Sequence, residues 1–158
     1  MKYLIICTLL FSYTSSIAQV EQAKHEKSYL VKLMDEVGYD FKTINDSLCQ
    51  VVFNGDTLKR YEVNILHFED MVIIYVNLTR EGELQEISLE LNQKNIQKVM
   101  NYNIYFDYLK FGIERSNGDF FVRADIFTGG LNSRTLRRFI DQVGRAANQI
   151  YPEMTAKN

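Results

Sequence analysis

The spacing of apolar residues near the start of the chain predicts an amphipathic helix over residues 21–37. Four apolar side chains recur there at the i, i+3, i+4, i+7 positions, which place them on one helical face. These are Leu30, Leu33, Met34 and Val37. Gly38 follows at the position where helices commonly end in a left-handed residue.

The same spacing predicts two further helices. One covers residues 84–100 and includes Ile96 among its apolar positions. The other comes after a glycine pair, begins at Asn132 or Ser133, which are both good N-caps, and ends at Pro152. Its apolar face is formed by Leu136, Phe139, Ile140, Val143, Ala147 and Ile150.

Between the first two helices, alternation of apolar and polar residues predicts three strands, over residues 48–53, 57–67 and 71–79. Asn54-Gly55 separates the first two strands, and this pair is typical of a two-residue hairpin turn. The sequence therefore predicts a meander of antiparallel strands in this half of the chain.

The apolar faces of the second and third strands predict how these strands pair. Placing Leu66 opposite Met71 brings Val63 opposite Ile74, so that one face of the hairpin is continuously apolar. A slip of one residue would turn polar side chains toward the core. We therefore expect an antiparallel hairpin with this register.

A second hairpin is predicted over residues 108–115 and 120–127, around Asn117-Gly118. The expected cross-strand pairs are Leu109 with Ile126, Phe111 with Ala124, Ile113 with Val122, and Lys110 with Asp125. The three apolar pairs share one face, and the ion pair lies on the other face. This agreement between the two faces supports the register.

The predicted elements occur in the order α-β-β-β-α-β-β-α. This order describes an α+β protein with an antiparallel five-stranded sheet. Strands with one apolar face need a cover, and three amphipathic helices can provide it.

Residues 1–18 are typical of a cleavable export signal. Lys2 is followed by a short apolar run, and Ser16 and Ala18 are the small residues that a cleavage site needs. The apolar run is too short to span the roughly 30 Å hydrocarbon core of a membrane. We therefore expect an exported protein, periplasmic or secreted, with one domain over residues 19–158 and no stable membrane anchor after signal cleavage.

Charge and cysteine content narrow the class of protein. The formal net charge of −2 does not fit the strongly basic face that nucleic-acid binding requires, so no nucleic-acid partner is expected. Cys49 is the one cysteine outside the predicted signal, which rules out an intramolecular disulfide in the mature chain. It lies in an apolar run, which favours a buried hydrophobic role over a nucleophilic one.

No recognisable catalytic or metal-binding motif occurs in the sequence. His67 is followed by Glu69 and Asp70, but ligands so close together on one turn rarely converge on one ion. There is no Gly-x-Ser-x-Gly, His-Glu-x-x-His or P-loop pattern. We therefore expect no enzyme activity, no catalytic residue, no metal and no cofactor.

Two groups of residues are candidates for partner binding. An aromatic segment joins the second helix to the following strand, and a basic side of the last helix is formed by Arg134, Arg137, Arg138 and Arg145. The candidate residues are Tyr102, Tyr105, Phe106, Arg134 and Arg138. The alternative is that the aromatic rings complete the core and the arginines form a solvated face.

The order of elements, with a helix between two sets of strands, resembles the type III secretion chaperone-like fold. The second half of the chain also looks like the YbjN-like family of bacterial proteins that share this fold. The resemblance extends over residues 30–154. The motifs that carry it are Leu91-Asn92-x-x-Asn95, Asn117-Gly118, Phe121-Val122-Arg123-Ala124-Asp125, Gly130-Leu131 and Tyr151-Pro152-Glu153-Met154.

The resemblance implies a non-catalytic module that binds other polypeptides or has a regulatory role. Secretion chaperones of this fold dimerise and wrap extended segments of their clients, so it also implies a homodimer as one form of the protein. Those chaperones act in the cytoplasm, whereas this sequence is expected to carry an export signal. The identity of the polypeptide partner does not follow from the resemblance.

Two other functions remain open at this stage. A cystatin-like inhibitor would also combine helices with an antiparallel sheet, but a long helix separates the two hairpins here and no inhibitory loop is evident. A small secreted hydrolase would need a cleft with an acid–base pair of shifted pKa. An exposed sheet edge or an apolar helix face would instead favour binding.

Overall fold

A computed structural model describes residues 27–78, 93–114 and 119–155. The predicted signal and the Asn117-Gly118 turn lie outside the described residues. In chain order the elements are α1 (Tyr29–Val37), β1 (Phe41–Asn45), β2 (Leu48–Phe53), β3 (Tyr61–Phe68), β4 (Met71–Leu78), α2 (Gln93–Tyr105), β5 (Lys110–Ile113), β6 (Phe120–Phe127) and α3 (Ser133–Thr155). Within these ranges, no helix is long and apolar enough to cross a membrane.

The strands form one antiparallel sheet in the order β1-β2-β3-β4-β6-β5. The sheet has six strands in the described residues, so the predicted five-stranded sheet is wrong by one strand. The missed strand is β1, in which every residue after Phe41 is exposed. It carries little apolar alternation because it lies at the sheet edge. The Asn45 carboxamide accepts a hydrogen bond from the Ser47 backbone N–H at 2.9 Å and so shapes the tight turn into β2.

The core lies between one face of the sheet and the helices. Leu30 and Met34 of α1 and Leu136 and Ile140 of α3 are fully buried, as the sequence predicts. They pack with the inward residues of the central strands, which include Val63, Ile65, Val72, Ile74, Val122 and Ala124. Cys49 is also fully buried, which confirms its expected role as a small hydrophobic residue. The helices therefore cover one face of the sheet.

The Asn54-Gly55 pair does not make a two-residue turn. Phe53 pairs with Tyr61, so residues 54–60 form a longer loop, and β3 begins later than predicted. The Asn148 carboxamide of α3 accepts hydrogen bonds from the backbone N–H groups of residues 57 and 58, at 3.1 and 2.8 Å. A Cβ at Gly55 would lie 2.4 Å from the Asn148 Oδ1, so this glycine allows close approach to α3.

The β3–β4 hairpin forms, but its register differs from the predicted one. Phe68 lies opposite Met71 and Leu66 lies opposite Ile73, a shift of two residues. The turn is therefore the pair Glu69-Asp70, and Glu69 takes a left-handed backbone conformation with φ of 55°. Because side chains alternate with a period of two, this shift leaves the same residues on the core face.

The β5–β6 hairpin shows the same kind of shift. Phe111 lies opposite Val122 instead of Ala124, so the predicted register is wrong by two residues. The predicted ion pair nevertheless forms across a diagonal, with Lys110 Nζ 2.6 Å from an Asp125 carboxylate oxygen. β5 is also shorter than predicted, since it ends at Ile113.

The helix ends differ from the predicted ones for local reasons. The first helix begins at Tyr29, because Ser28 caps it by accepting a hydrogen bond from the Val31 N–H at 3.3 Å. The predicted apolar helix after β4 extends past residue 100 to Tyr105, and its predicted start lies outside the described residues. The last helix continues through Pro152, which was expected to end it.

Candidate functional site

The helix α2 carries apolar residues on its inward face and also in a stripe along its outward side. Val99 and Tyr102 face inward and pack against the core with Phe106, which follows the helix. Ile96, Met100 and Ile104 lie at i, i+4, i+8 spacing on the outward side, and they are 44%, 57% and 73% exposed. An amphipathic surface helix carries polar residues on its solvent side, so this outward stripe lacks the usual composition.

The three candidate aromatic residues divide between the core and the surface. Tyr105 is 80% exposed. Tyr102 and Phe106 are partly buried, and their rings lie 5.5 and 5.1 Å from the ring of Phe111. Tyr108, which was not among the candidates, is 67% exposed and meets Phe139 of α3 edge-on at 6.3 Å. We call Ile96, Met100, Ile104, Tyr105 and Tyr108 the α2 surface.

Tyr102 attaches α2 to the end of α3. Its hydroxyl donates a 2.7 Å hydrogen bond to the Glu153 carboxylate. Burial, together with this carboxylate, raises the pKa of the Tyr102 hydroxyl. Lys98 donates to the Glu153 backbone carbonyl at 2.6 Å. Both contacts hold Glu153, the residue after Pro152, against α2. We infer that they help α3 to continue beyond the proline.

Asn103 attaches α2 to the edge strand β5. Its carboxamide donates to the Phe111 carbonyl and accepts from the Phe111 N–H, both at 2.9 Å. The side chain thereby replaces a neighbouring strand at this position of the sheet edge. An incoming strand cannot pair with Phe111 while this contact holds. The contact favours binding through side chains of α2 over addition of a strand at β5.

Replacing Asn103 with alanine is expected to destabilise the protein by about 1–3 kcal/mol, because two backbone groups of Phe111 lose their partner. Urea unfolding followed by circular dichroism measures this change. The matched control is Asn101→Ala on the same helix, since Asn101 is exposed; a change within about 0.5 kcal/mol is expected there. Equal effects of the two substitutions would contradict the assigned role of Asn103.

A shallow cavity of about 270 Å³ lies where α2 ends beside α3. Its apolar part is formed by Tyr105, Phe106, Tyr108, Leu109 and Ala146, and Gln142 and Arg145 lie at its border with the basic side of α3. The volume is below the range of about 300–1,000 Å³ that is usual for small-molecule sites. It suits a single side chain of a partner.

The two candidate arginines lie on α3. Arg134 and Arg138 are exposed, and with Arg145 they line an open groove. Arg137, by contrast, belongs to the fold. Its guanidinium lies 4.9 Å from the centre of the Tyr39 ring and donates to the Val37 carbonyl at 3.2 Å, so it holds the end of α1.

Other residues whose side chains could take part in catalysis or metal binding are packed against neighbouring side chains. The rings of Tyr29 and His67 lie 5.2 Å apart. Burial raises the pKa of the Cys49 thiol, which disfavours the thiolate. Within the described ranges, no three His, Cys, Asp or Glu side chains gather where they could hold a metal ion. The structure places the candidates Tyr105 and Phe106 in the lining of one cavity, next to the groove that Arg134 and Arg138 line. Tyr102 packs against the core and does not line the cavity.

No family model matches the chain, and no curated protein matches it in sequence. Solved structures do match its fold. A chain of the ExsC–ExsE complex has a TM-score of 0.57 at 11% identity, over 80% of this chain and 91% of that chain. A chain of the HopA1–SchA chaperone–effector complex has a TM-score of 0.52 at 10% identity, over 74% and 88% of the two chains.

A third match is a chain of the heterodimeric ExoU–SpcU complex from the type III secretion system of Pseudomonas aeruginosa. It has a TM-score of 0.51 at 15% identity, over 77% of this chain and 93% of that chain. Identities this low show the fold alone. The chain therefore has a type III secretion chaperone-like α+β fold, and the YbjN-like resemblance stays a prediction.

Sequence reasoning missed Met100, Ile104 and Tyr108 as surface residues. Ile96 was assigned to the apolar side that packs on the core, but it lies on the outward stripe. The prediction missed them because it ended this helix at residue 100, whereas α2 continues to Tyr105. Once α2 is extended to Tyr105, the spacing of Ile96, Met100 and Ile104 defines a second apolar stripe distinct from the one that contains Val99.

Proposed function

We propose that this protein is a non-catalytic module that binds a polypeptide partner through the α2 surface. One observation carries the proposal: five large apolar side chains on α2 and the segment that follows it are 44% to 80% exposed. An exposed apolar patch of this kind is typical of an interaction site. Aromatic and methionine side chains are enriched in such interfaces.

The way α2 is attached supports the proposal. Tyr102 and Asn103 fix the helix to α3 and β5 through hydrogen bonds, and Val99 packs on the core. The outward residues therefore sit on an ordered element. A partner that binds this surface does not have to order the helix first, which reduces the entropy cost of association.

The structural matches support the same proposal. Two of them come from complexes whose names describe a chaperone with its effector or a secretion-system heterodimer. By analogy of fold, we infer that this chain also binds a polypeptide and needs no cofactor to do so. The matched fold favours this proposal over a cystatin-like inhibitor.

The hydrolase alternative would rest on a pair of carboxyl groups at the β5–β6 hairpin. Burial, with a smaller effect of Glu114, raises the pKa of Asp119. Both residues flank the hairpin connection, and neither lines the α2 cavity or the α3 groove. The α2 surface therefore supports the proposal that the protein binds a polypeptide. The carboxyl pair does not support a proposal of catalysis.

Site-specific crosslinking tests the proposed function. A photoreactive phenylalanine analogue at position 105 is expected to crosslink a polypeptide in the producing cells. The same analogue at Phe127 is the control, since this ring is 68% exposed but lies on β6. An adduct at position 105 that is absent at position 127 supports the proposal, and equal adducts at both positions contradict it. Mass spectrometry shows whether the adduct is a second copy of the chain or another protein.

We also propose that the protein is exported, on the basis of residues 1–18 alone. The expected mature species begins at Gln19, because Ser16 and Ala18 fit the cleavage site of a signal peptidase. Intact mass of the exported protein measures this directly. A mature species that retains Met1 would contradict the proposal of export, while leaving the binding proposal in place.

A further inference from the structure

Three exposed arginines follow one side of α3. Arg134, Arg138 and Arg145 are spaced i, i+4, i+11, which brings them to nearly the same angular position on the helix. Within residues 27–78, 93–114 and 119–155, no carboxylate oxygen lies within 4.0 Å of their guanidinium nitrogens. Among the residues that the structure describes, no carboxylate therefore neutralises these three cations.

The one acidic residue in this groove is already engaged by the protein. Asp141 lies between the arginines along the helix, and its carboxylate accepts a hydrogen bond from the Tyr39 hydroxyl. Arg137 stacks on the same tyrosine ring and bonds the end of α1. Asp141 and Arg137 thus hold α1 and its following loop against α3, while the other arginines face solvent.

The groove continues directly into the cavity beside α2, whose lining also includes Asp107. Gln142 and Arg145 line both, so the row of guanidinium groups ends where the rings of Tyr105 and Tyr108 begin. A basic groove that adjoins an aromatic cavity combines two kinds of recognition. Guanidinium groups bind carboxylates with two parallel hydrogen bonds, and the cavity accepts one apolar side chain.

We propose that this groove binds an acidic segment of the partner polypeptide, in which an aromatic or aliphatic side chain fills the cavity and neighbouring carboxylates pair with Arg134, Arg138 and Arg145. The proposal rests on the proposed polypeptide-binding function and names the chemistry of the segment. Arg134 and Arg138 are one helical turn apart, which matches carboxylates on nearby residues of an acidic segment.

Charge and shape favour a polypeptide over a polyanion such as nucleic acid or an anionic membrane. The chain has a net charge of −2 and an isoelectric point of about 5.7, so it lacks the overall positive field that attracts such surfaces. The cavity also has a size that suits one side chain. A carboxylate-bearing segment with one apolar anchor uses both parts of the groove.

Selection from a phage-displayed library of random dodecapeptides tests the proposal, with protein purified after expression of the full-length chain. We expect enriched peptides with Asp or Glu beside an aromatic or aliphatic residue. A synthetic peptide of the enriched sequence should bind the double variant Arg134→Glu, Arg138→Glu about 10- to 100-fold more weakly. The control double variant Lys59→Glu, Arg60→Glu makes the same change in net charge at two exposed residues of the β2–β3 loop and should bind the peptide as tightly as the wild type.

Circular dichroism melting first establishes that each variant is folded, and Arg134→Gln with Arg138→Gln replaces the double variant if that one melts early. Enrichment of basic or uncharged peptides would overturn this inference and leave the proposed function standing. Absence of any enriched peptide would count against both. Equal binding of an acidic peptide to the wild type and the double variant would show that the groove is not its binding site, and this would overturn the inference.

Two probes represent the two classes of polyanion. Vesicles that contain phosphatidylglycerol represent an anionic membrane, and an oligothymidylate represents a nucleic acid. We expect neither to bind more tightly than the enriched acidic peptide. Tighter binding of either probe, lost in the double variant, would overturn the inference in favour of a polyanion partner.

Discussion

Replacing Phe120 with alanine is expected to destabilise the protein by about 3–5 kcal/mol, the usual cost of truncating a buried phenylalanine. Phe120 is fully buried, and its ring stacks on Phe111 with centres 6.3 Å apart. The Phe111 ring in turn contacts Tyr102 and Phe106. The cavity left at Phe120 would therefore lie under the strand that supports α2. A domain of this size is stable by only about 5–15 kcal/mol, so the loss is a large fraction.

Urea unfolding of the variant measures this effect, and Phe127→Ala is its matched control. Phe127 ends the same strand but is 68% exposed, so its truncation should change the stability by no more than about 0.5 kcal/mol. Similar stabilities of the two variants would show that the aromatic cluster does not support the fold as described.

The double substitution Met100→Asp, Ile104→Asp is expected to weaken partner binding at least about 100-fold. Each change removes an apolar anchor, and anchors of this kind contribute about 2 kcal/mol or more, where 1.4 kcal/mol is a factor of ten. The fold should survive because both side chains point to solvent in the free protein. Titration of the crosslinked partner, once identified, against each purified variant gives the two dissociation constants.

The control for this prediction is the double substitution Ile44→Asp, Phe127→Asp. It places the same charges at two exposed apolar residues on the strands β1 and β6. We expect no more than about a twofold change in the dissociation constant, because surface changes away from an interface are nearly neutral. If both double variants bind equally well, the partner does not use the α2 surface.

Apolar alternation predicted the faces of the sheet but not its register. In the β3–β4 and β5–β6 hairpins the observed pairs differ from the predicted pairs by two residues. A shift of two returns each side chain to the same face, so burial alone cannot distinguish the two registers. The turn decides between them, and Glu69-Asp70 contains no glycine that would mark a two-residue turn, so the β3–β4 register was predicted from the apolar faces alone.

Long-range contacts account for other differences between prediction and structure. Asn54-Gly55 is a strong local signal for a tight turn, yet Asn148 of α3 holds residues 57 and 58 in a longer loop. Pro152 is a strong local signal for a helix end, yet Glu153 is tied to α2 by Lys98 and Tyr102. Neither partner is near in sequence, so neither effect is visible from local pattern.

The exposure of the candidate aromatic residues could be predicted only in part. The aromatic segment was found from composition, but composition does not say which ring points inward. Tyr102 and Tyr105 are three residues apart on one helix, and the structure places the first against Phe111 and leaves the second 80% exposed. The prediction could not separate them because it ended the helix before both residues, which removed the periodicity that distinguishes the two faces.

Hydrogen–deuterium exchange of the protein with and without its identified partner tests the central claim most directly. We expect binding to slow exchange in residues 96–108, which include the α2 surface, and in residues 134–145 of the α3 groove, because a bound partner suppresses local opening there. Strands β1 and β2, at the opposite edge of the sheet, should exchange as in the free protein. Slowed exchange confined to β1 and β2, with residues 96–108 unchanged, would contradict the account.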